Sequence, residues 1–283
     1  MAEIVFCRDK HKYQEQMRQL WVDAFEDPKA YLDYYFGERI QSSQVMLAVE
    51  ARTEELLCMM HVNPIHGVIQ GKTVEFPYIV GVATRRNWQR RGLMRQCMQR
   101  VLKDLRGQGY TFVVLMAERE EYYKDFGFTT IFRQSYDVIA TAPIQGPQRE
   151  KKIGKIRLTP LTKEWMKPAQ IFAQNYLRRN YDIFVEHDQA YLERMCREYG
   201  CQSGGVALAV EQEKVKGILF YACEQGKVIV QEYLSDLNRE QLYSLLLFWL
   251  GRKPVKMLEG QPFWDSGYLP ALMGRTLSGE ETV

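Results

Sequence analysis

The sequence predicts an α/β (α+β) protein made of two similar halves, each a mixed, mostly antiparallel central sheet flanked by helices. Three observations point there. Two helical stretches near the start are followed by a meander of short β segments. A strand–helix–strand unit comes next, which requires parallel strands. The same general order then returns after a segment rich in Pro, Gly and charge, TAPIQGPQREKKIGK (141–155). A chain of 283 residues has room for two domains. The boundary is placed in that segment, giving 1–145 and 146–283.

Residues 13–25 place Met17, Leu20, Trp21 and Phe25 at helical spacing. A second helix is expected over 29–41, carrying Tyr31, Leu32, Tyr34, Tyr35, Phe36 and Ile40. These aromatics are not confined to one stripe, so they either pack a core or line a substrate cleft. Strands follow at 45–51 and 55–62, the latter closed by the turn pair Asn63-Pro64. Residues 65–69 and 73–76 flank Gln70-Gly71-Lys72, a hairpin signal. Residues 78–84 read as a buried strand.

Residues 92–106 form an amphipathic helix with Leu93, Cys97, Met98, Val101, Leu102 and Leu105 on one side, stopped by Gly107 and Gly109. TFVVLM (111–116) is an apolar run of strand length, as expected for a strand covered on both faces. A short helix at 118–125 and a strand from 128 complete the first half. The second half has a strand near 156–158 and helices near 165–179 and 187–198. Strands at 206–211, 215–223 and 228–233 and a helix at 239–250 follow. The tail, 261–275, carries Phe263, Trp264, Tyr268 and Leu269 and either packs locally, the favoured reading, or reaches back to the first domain.

Bulk properties exclude several classes. With 46% hydrophobic and 26% charged residues, the chain is not of the disordered type. A net charge of +3 does not indicate a nucleic-acid binder. The start MAEIVFCRDKHKYQEQ has no apolar stretch of a secretory signal, and no run approaches 18 apolar residues, so neither secretion nor a membrane span is expected. The cysteines Cys7, Cys58, Cys97, Cys196, Cys201 and Cys223 are scattered without CxxC spacing. They are expected as free thiols in a reducing cytoplasm, with no metal site.

The chemistry concentrates at VATRRNWQRRGLM (82–94), where a strand ends, a basic loop follows and a helix begins at Gly92. A helix N-terminus exposes unpaired N–H groups and the positive end of its dipole, a geometry that binds phosphate. Gly92 lets a diphosphate approach the backbone. Arg85, Arg86, Arg90, Arg91 and Arg95 add positive charge around it. A solvated basic surface or a nucleic-acid patch would also be basic. The arginines stay local to one junction, though, and no aromatic platform accompanies them.

Gln89-Arg90-Arg91-Gly92-Leu93-Met94 resembles the Gln/Arg-x-x-Gly-x-Gly/Ala signature with which GCN5-related N-acetyltransferases (GNAT) hold the pyrophosphate of coenzyme A (CoA). Met94 departs from Gly/Ala, as in the subgroup that resembles the enhanced-intracellular-survival (Eis) enzymes, and Arg86 stands where proline is usual. Downstream, Tyr123-Lys124-Asp125-Phe126-Gly127-Phe128 looks like that subgroup's Tyr-x-x-Phe-Gly-Phe/Tyr motif. The resemblance covers 1–135 well and the rest in layout only. It implies tandem GNAT-like folds with acetyl-CoA as cosubstrate, held by Val82, Ala83, Thr84, Gln89, Arg90, Arg91, Gly92, Leu93, Met94 and Arg95. It also implies Tyr123 as general acid on the departing thiolate and a backbone N–H of the 82–84 strand on the thioester carbonyl.

The acceptor half is less determined. An ammonium of pKa about 10 must lose a proton before it attacks. Candidate bases are Glu118, Glu120, Glu121, Asp23, Glu26 and Asp27. In the Eis subgroup the C-terminal carboxylate of a third, sterol-carrier-like domain is given this role. That domain is expected to be absent here, so the base does not carry over. In the second half the matching junction, LSDLNREQLY (234–243), has no glycine, one arginine and the acidic Asp236 and Glu240. A degenerate GNAT-like domain without CoA is expected there.

The activity expected is direct transfer of acetyl to a primary amine, on a small molecule or on a peptide or protein. The competing reading is a non-catalytic acyl-CoA-binding or assembly module. No nucleic-acid, membrane or metal partner is expected, and a homo-oligomer is compatible with the family.

Overall fold

The computed structural model describes residues 2–143, 155–254 and 264–277. The expected boundary at 145/146 lies outside the described residues. The chain divides into two compact units: Met1–Gly67, Val74–Gln134 and Pro270–Val283 in one, Val68–Thr73 and Ser135–Leu269 in the other.

The first unit contains β1 (Ile4–Cys7), α1 (Gln14–Ala24), α2 (Lys29–Gly37), β2 (Gln44–Glu50), β3 (Leu56–Ile69), β4 (Lys72–Thr84), α3 (Leu93–Gly107), β5 (Phe112–Ala117), α4 (Glu121–Lys124) and the start of β6 (Thr129–Pro143). It also contains the end of β13 (Asp265–Thr276). Its sheet runs β1-β2-β3-β4-β5-β13. The β4/β5 pair is parallel, through Tyr78↔Val114 and Ile79↔Leu115. On its other side β5 pairs antiparallel with β13, from Ala271↔Ala117 to Thr276↔Phe112. Trp264 packs locally against Tyr243 in the second-unit core, as favoured, whereas from Pro270 onward the tail is a strand of the first unit. Its apolar residues pair with a segment some 150 positions earlier, which periodicity cannot reveal.

Two other expectations need correction. Asn63-Pro64 does not turn the chain: β3 runs straight through it, and β4 runs through Pro77. Proline removes one ladder donor but leaves its carbonyl, and Pro64 O accepts from Arg39 Nη2 at 3.1 Å. The expected helix over 29–41 stops at Gly37 and resumes as a 3₁₀ turn over Arg39–Ser42. The hairpin signal is realised as a two-residue turn, with Gln70 at φ 48° and Gly71 at φ 77° between β3 and β4.

Helices cover both faces of this sheet. α1 and α2 bury Met17, Leu20, Trp21, Leu32, Tyr35 and Phe36 on one face, against Leu47, Leu56, Met59 and Ala83. α3 buries Leu93, Cys97, Met98, Val101, Leu102 and Leu105 on the other, against Ile79, Val113 and Leu115. Both follow the helical spacing of the apolar residues. The α2 aromatics are therefore mostly core.

The second unit holds β7 (Ile156–Pro160), α5 (Lys163–Asn180), β8 (Ile183–Val185), α6 (Gln189–Gly200), β9 (Gly205–Glu211), β10 (Lys214–Glu224), β11 (Lys227–Ser235), α7 (Arg239–Trp249) and β12 (Arg252–Pro254). Its strands run β6-β11-β10-β9-β7. One core packs the sheet against α5 and α6, and a second packs it against α7. Two helices on one face and one on the other repeat the layering of the first unit. The tandem, mixed α/β architecture read from the sequence is thus present. β8 and β12 went unforeseen because three residues carry no period.

His61 on β3 is fully buried, with its Nδ1 3.0 Å from the Tyr35 hydroxyl. Burial, helped by the charge of Lys10, pushes its pKa down to about 3. A folded-state pKa below the unfolded value near 6.5 gives stability that is complete above pH 6.5 and is lost as pH falls towards 3. The expected loss is about 3 kcal/mol by pH 4, read as a falling urea midpoint, and His61→Gln should flatten that part of the profile.

Candidate acyl-CoA site

The site begins with a break in strand pairing. Along β4, Ile79 packs in the α3-side core, Val80 against the α1/α2-side core, Val82 against the α3 side again and Ala83 in the α1/α2 side. Strict alternation would put Val82 on the same face as Val80. The phase is kept by one extra residue, Gly81, at φ 60°. This is a β-bulge, and only glycine holds that φ without strain. The recorded pairing to β5 ends at Ile79↔Leu115. Beyond it no β4–β5 pair occurs among the described residues, and the backbone of Val82, Ala83 and Thr84 borders this unpaired gap.

Downstream of β4, Arg86–Trp88 makes one 3₁₀ turn. Gln89 donates from Nε2 to Thr84 O (3.2 Å), tying the loop to the strand end. Arg90 is left-handed at φ 59°, and Gly92 at φ 78° is the N-cap of α3. No side chain caps this helix, and its first intrahelical bond is Gln96 N–H to Gly92 O (3.0 Å). The N–H groups of Leu93, Met94 and Arg95 therefore point out of the first turn, where the helix dipole adds positive potential. A Cβ on Gly92 would meet nothing within 4 Å, so the space in front of the turn is open.

Gln89, Arg90, Arg91, Gly92 and Arg95 are exposed, Val82, Thr84 and Met94 half-buried, and Ala83 and Leu93 buried. The buried pair anchors the strand and the helix; the exposed group faces whatever binds. The Arg91 guanidinium lies 4.6 Å from the Trp88 ring centroid. Arg95 pairs with Asp125 (3.0 Å) and stands over the Phe126 ring at 5.2 Å, so the two sequence motifs meet at Arg95. Arg85 is diverted from the basic cluster. Its N–H donates to Leu57 O (2.9 Å), its Nε donates to Leu56 O (2.6 Å), and it pairs with Glu55 (3.2 Å).

Tyr123 sits on α4, half-buried, with its ring edge-on to Phe128 at 6.1 Å. Burial, then the charge of Glu118 and the neighbouring Tyr122, push its pKa up to about 12. The phenol therefore keeps its proton throughout the neutral range. Tyr122 is exposed, which separates the two adjacent tyrosines. Gly127 at φ 76° turns the chain into β6, and Arg275 of β13 donates to Phe126 O. This last partner was invisible in the motif.

Among the candidate bases, Glu120 is engaged with Thr130 (2.9 Å) and Arg133, and Thr130's hydrogen bond holds its carboxyl below the usual range. Asp27 accepts from Trp21 Nε1 (2.8 Å) and Asp23 from Gln19 (2.8 Å). Glu118, at the end of β5, is the carboxylate whose charge reaches Tyr123. Among the described residues no group of three or more His, Cys, Asp or Glu could hold a metal ion, and no helix is long and apolar enough to cross a membrane.

The corresponding junction of the second unit differs. α7 is capped by Asn238, whose side chain accepts from Gln241 N–H at 3.1 Å. Asp236 pairs with Arg179 (2.7 Å), and Glu240 lies in the first turn. Part of the phosphate-binding capacity of that helix start is used internally.

Residues 9–131 match the family model described as an acetyltransferase (GNAT) domain. No curated protein matches the chain. Solved structures of similar fold include a probable N-acyltransferase from Enterococcus faecalis V583 (TM-score 0.67, 18% identity, 98% of this chain and 73% of that one). A GCN5-related N-acetyltransferase from Anabaena variabilis ATCC 29413 superposes with TM-score 0.67 at 13% identity, over 98% of this chain and 73% of that one. Eis1 from Mycobacterium abscessus does so with TM-score 0.57 at 16% identity, over 98% and 74%. The match to the acetyltransferase (GNAT) domain model thus falls within the first unit, Val68–Thr73 apart, and the solved structures share the fold of the whole chain.

Replacing Gly92 by Ala should cost about 1 kcal/mol of unfolding free energy, because an L-residue must take up φ 78°. Denaturant unfolding of the two proteins checks this; equal midpoints would mean that the turn relaxes freely.

Proposed function

We propose that the protein transfers an acetyl group from acetyl-CoA to a primary amine, in the manner of the Eis-like subgroup, by direct attack in the first unit. The observation that carries this reading is the uncapped start of α3, open in front of Gly92, beside a strand that has parted from its parallel neighbour. The diphosphate would lie on the N–H groups of Leu93, Met94 and Arg95, with Gln89, Arg90, Arg91 and Arg95 around it. The pantetheine arm would run along Val82–Thr84, where a backbone N–H donates to the thioester oxygen as charge develops on it, a contribution of about 3 kcal/mol in comparable acyl transfers.

In the reaction the amine nitrogen forms a bond to the acyl carbon, the carbon–sulfur bond breaks, and the nitrogen gives up a proton. Tyr123 serves as the acid on the sulfur. With a phenol pKa of about 12 against about 8.5 for a thiol, complete transfer is uphill. Its contribution is a hydrogen bond that strengthens as negative charge reaches sulfur. Glu118 is assigned to the acceptor end, where its charge attracts an ammonium and takes its proton through water. The second unit, with α7 capped by its own Asn238, has no CoA role in this reading.

Tyr123→Phe should lower kcat about a hundredfold while the dissociation constant of acetyl-CoA changes less than threefold, measured by thiol release and by calorimetry. An unchanged kcat removes Tyr123 from the chemistry. CoA binding without acetylation across a broad amine panel would favour a non-catalytic acyl-CoA-binding module instead.

A further inference from the structure

The bulge that opens the gap beside β4 is covered from the α1 side by one side chain. A Cβ built on Gly81 would stand 2.4 Å from Cζ3 of Trp21, 3.0 Å from Cη2 and 3.1 Å from Cε3. The benzo edge of the indole thus fills the volume that any other residue at 81 would occupy. It is not a loose cover. Trp21 is 3% exposed. Its ring packs against Tyr35 at 4.6 Å, Phe25 at 5.1 Å and Phe36 at 5.7 Å, and its Nε1–H donates to Asp27 at 2.8 Å.

This placement bears on which acyl group the gap accepts. If the thioester carbonyl rests on the strand at Val82, as proposed above, the acyl tail leaves the carbonyl carbon within a few ångströms of Gly81. A glycine in a bulge would otherwise leave a groove there, and a groove lined by carbon takes methylenes. We infer that Trp21 is an acyl-length stop: it closes the groove at Gly81, restricts the donor to short acyl groups, and is the specificity-determining residue for the acyl chain. The inference rests on the acyl-transfer reading and adds to it the class of donor.

The test compares binding of acetyl-CoA and octanoyl-CoA to the full chain by titration calorimetry, in the wild type, Trp21→Leu and Trp21→Ala. The leucine variant keeps an apolar filling and removes the benzo edge, so it guards against loss of the fold in the alanine variant; circular dichroism confirms each. In the wild type octanoyl-CoA should bind no tighter than acetyl-CoA. In a folded variant the octanoyl-to-acetyl affinity ratio should rise at least tenfold, since each methylene that enters the vacated space is worth about fourfold. A ratio unchanged in both folded variants, or a wild type that already favours octanoyl-CoA tenfold, overturns the inference while leaving acyl transfer intact. A wild type that binds no CoA ester at all would instead overturn the reading beneath it.

Discussion

β4 lies parallel to β5 at Ile79, and between Val80 and Val82 its side chains change phase by taking in one extra residue. Gly81 is that residue, and its left-handed φ of 60° makes the bulge. Much of the candidate site follows from this. Ile79 and Val82 stay with the α3-side core, Val80 and Ala83 with the α1/α2-side core, and the backbone between them borders a gap rather than a neighbouring strand. The chain then needs a short basic loop to reach α3, and Gly92, also left-handed, aims that helix's unpaired N–H groups outward. Two glycines thus set the backbone donors, and the arginines supply long-range charge around them.

The same constraint explains the aromatic content of the first helices. An unfilled bulge next to a sheet would be a cavity, and cavities are costly in a packed core. Trp21 fills it, and Tyr35, Phe36 and Phe25 hold Trp21 in place. The two alternatives for these rings, core packing or a wall of the substrate cleft, therefore merge at one residue. Trp21 is core by burial, and it also fills the space beside Gly81 on which the proposed acyl-length limit rests.

Much of this was legible in the sequence, for reasons that can be stated residue by residue. The helical spacing of Leu93, Cys97, Met98, Val101, Leu102 and Leu105 placed α3, and Gln70-Gly71 placed the hairpin, because both signals are local. Asn63-Pro64 misled, since proline's missing donor matters only where a neighbouring strand needs it. The favoured local reading of the tail holds for Trp264 but misses the end of β13, because its pairing with β5 joins Ala271 to Ala117 across more than half of the chain. Gly81 is a plain glycine in an apolar run; nothing nearby marks it as a bulge until Trp21 is seen against it. Arg85 was grouped by proximity with the arginines expected to face a phosphate, and the carbonyl of Leu56 draws it away.

Tandem layering with unequal helix starts is the remaining feature. α3 leaves its first turn open in front of a glycine, whereas α7 closes its own with Asn238 and carries Glu240 in the first turn. Two similar frameworks are thereby given different capacity for an anion. The most direct test of the account is the stoichiometry of acetyl-CoA binding to the intact chain by titration calorimetry. The account predicts one site per chain, weakened by salt and by Gly92→Val. No binding, or two equivalent sites insensitive to Gly92, would contradict it.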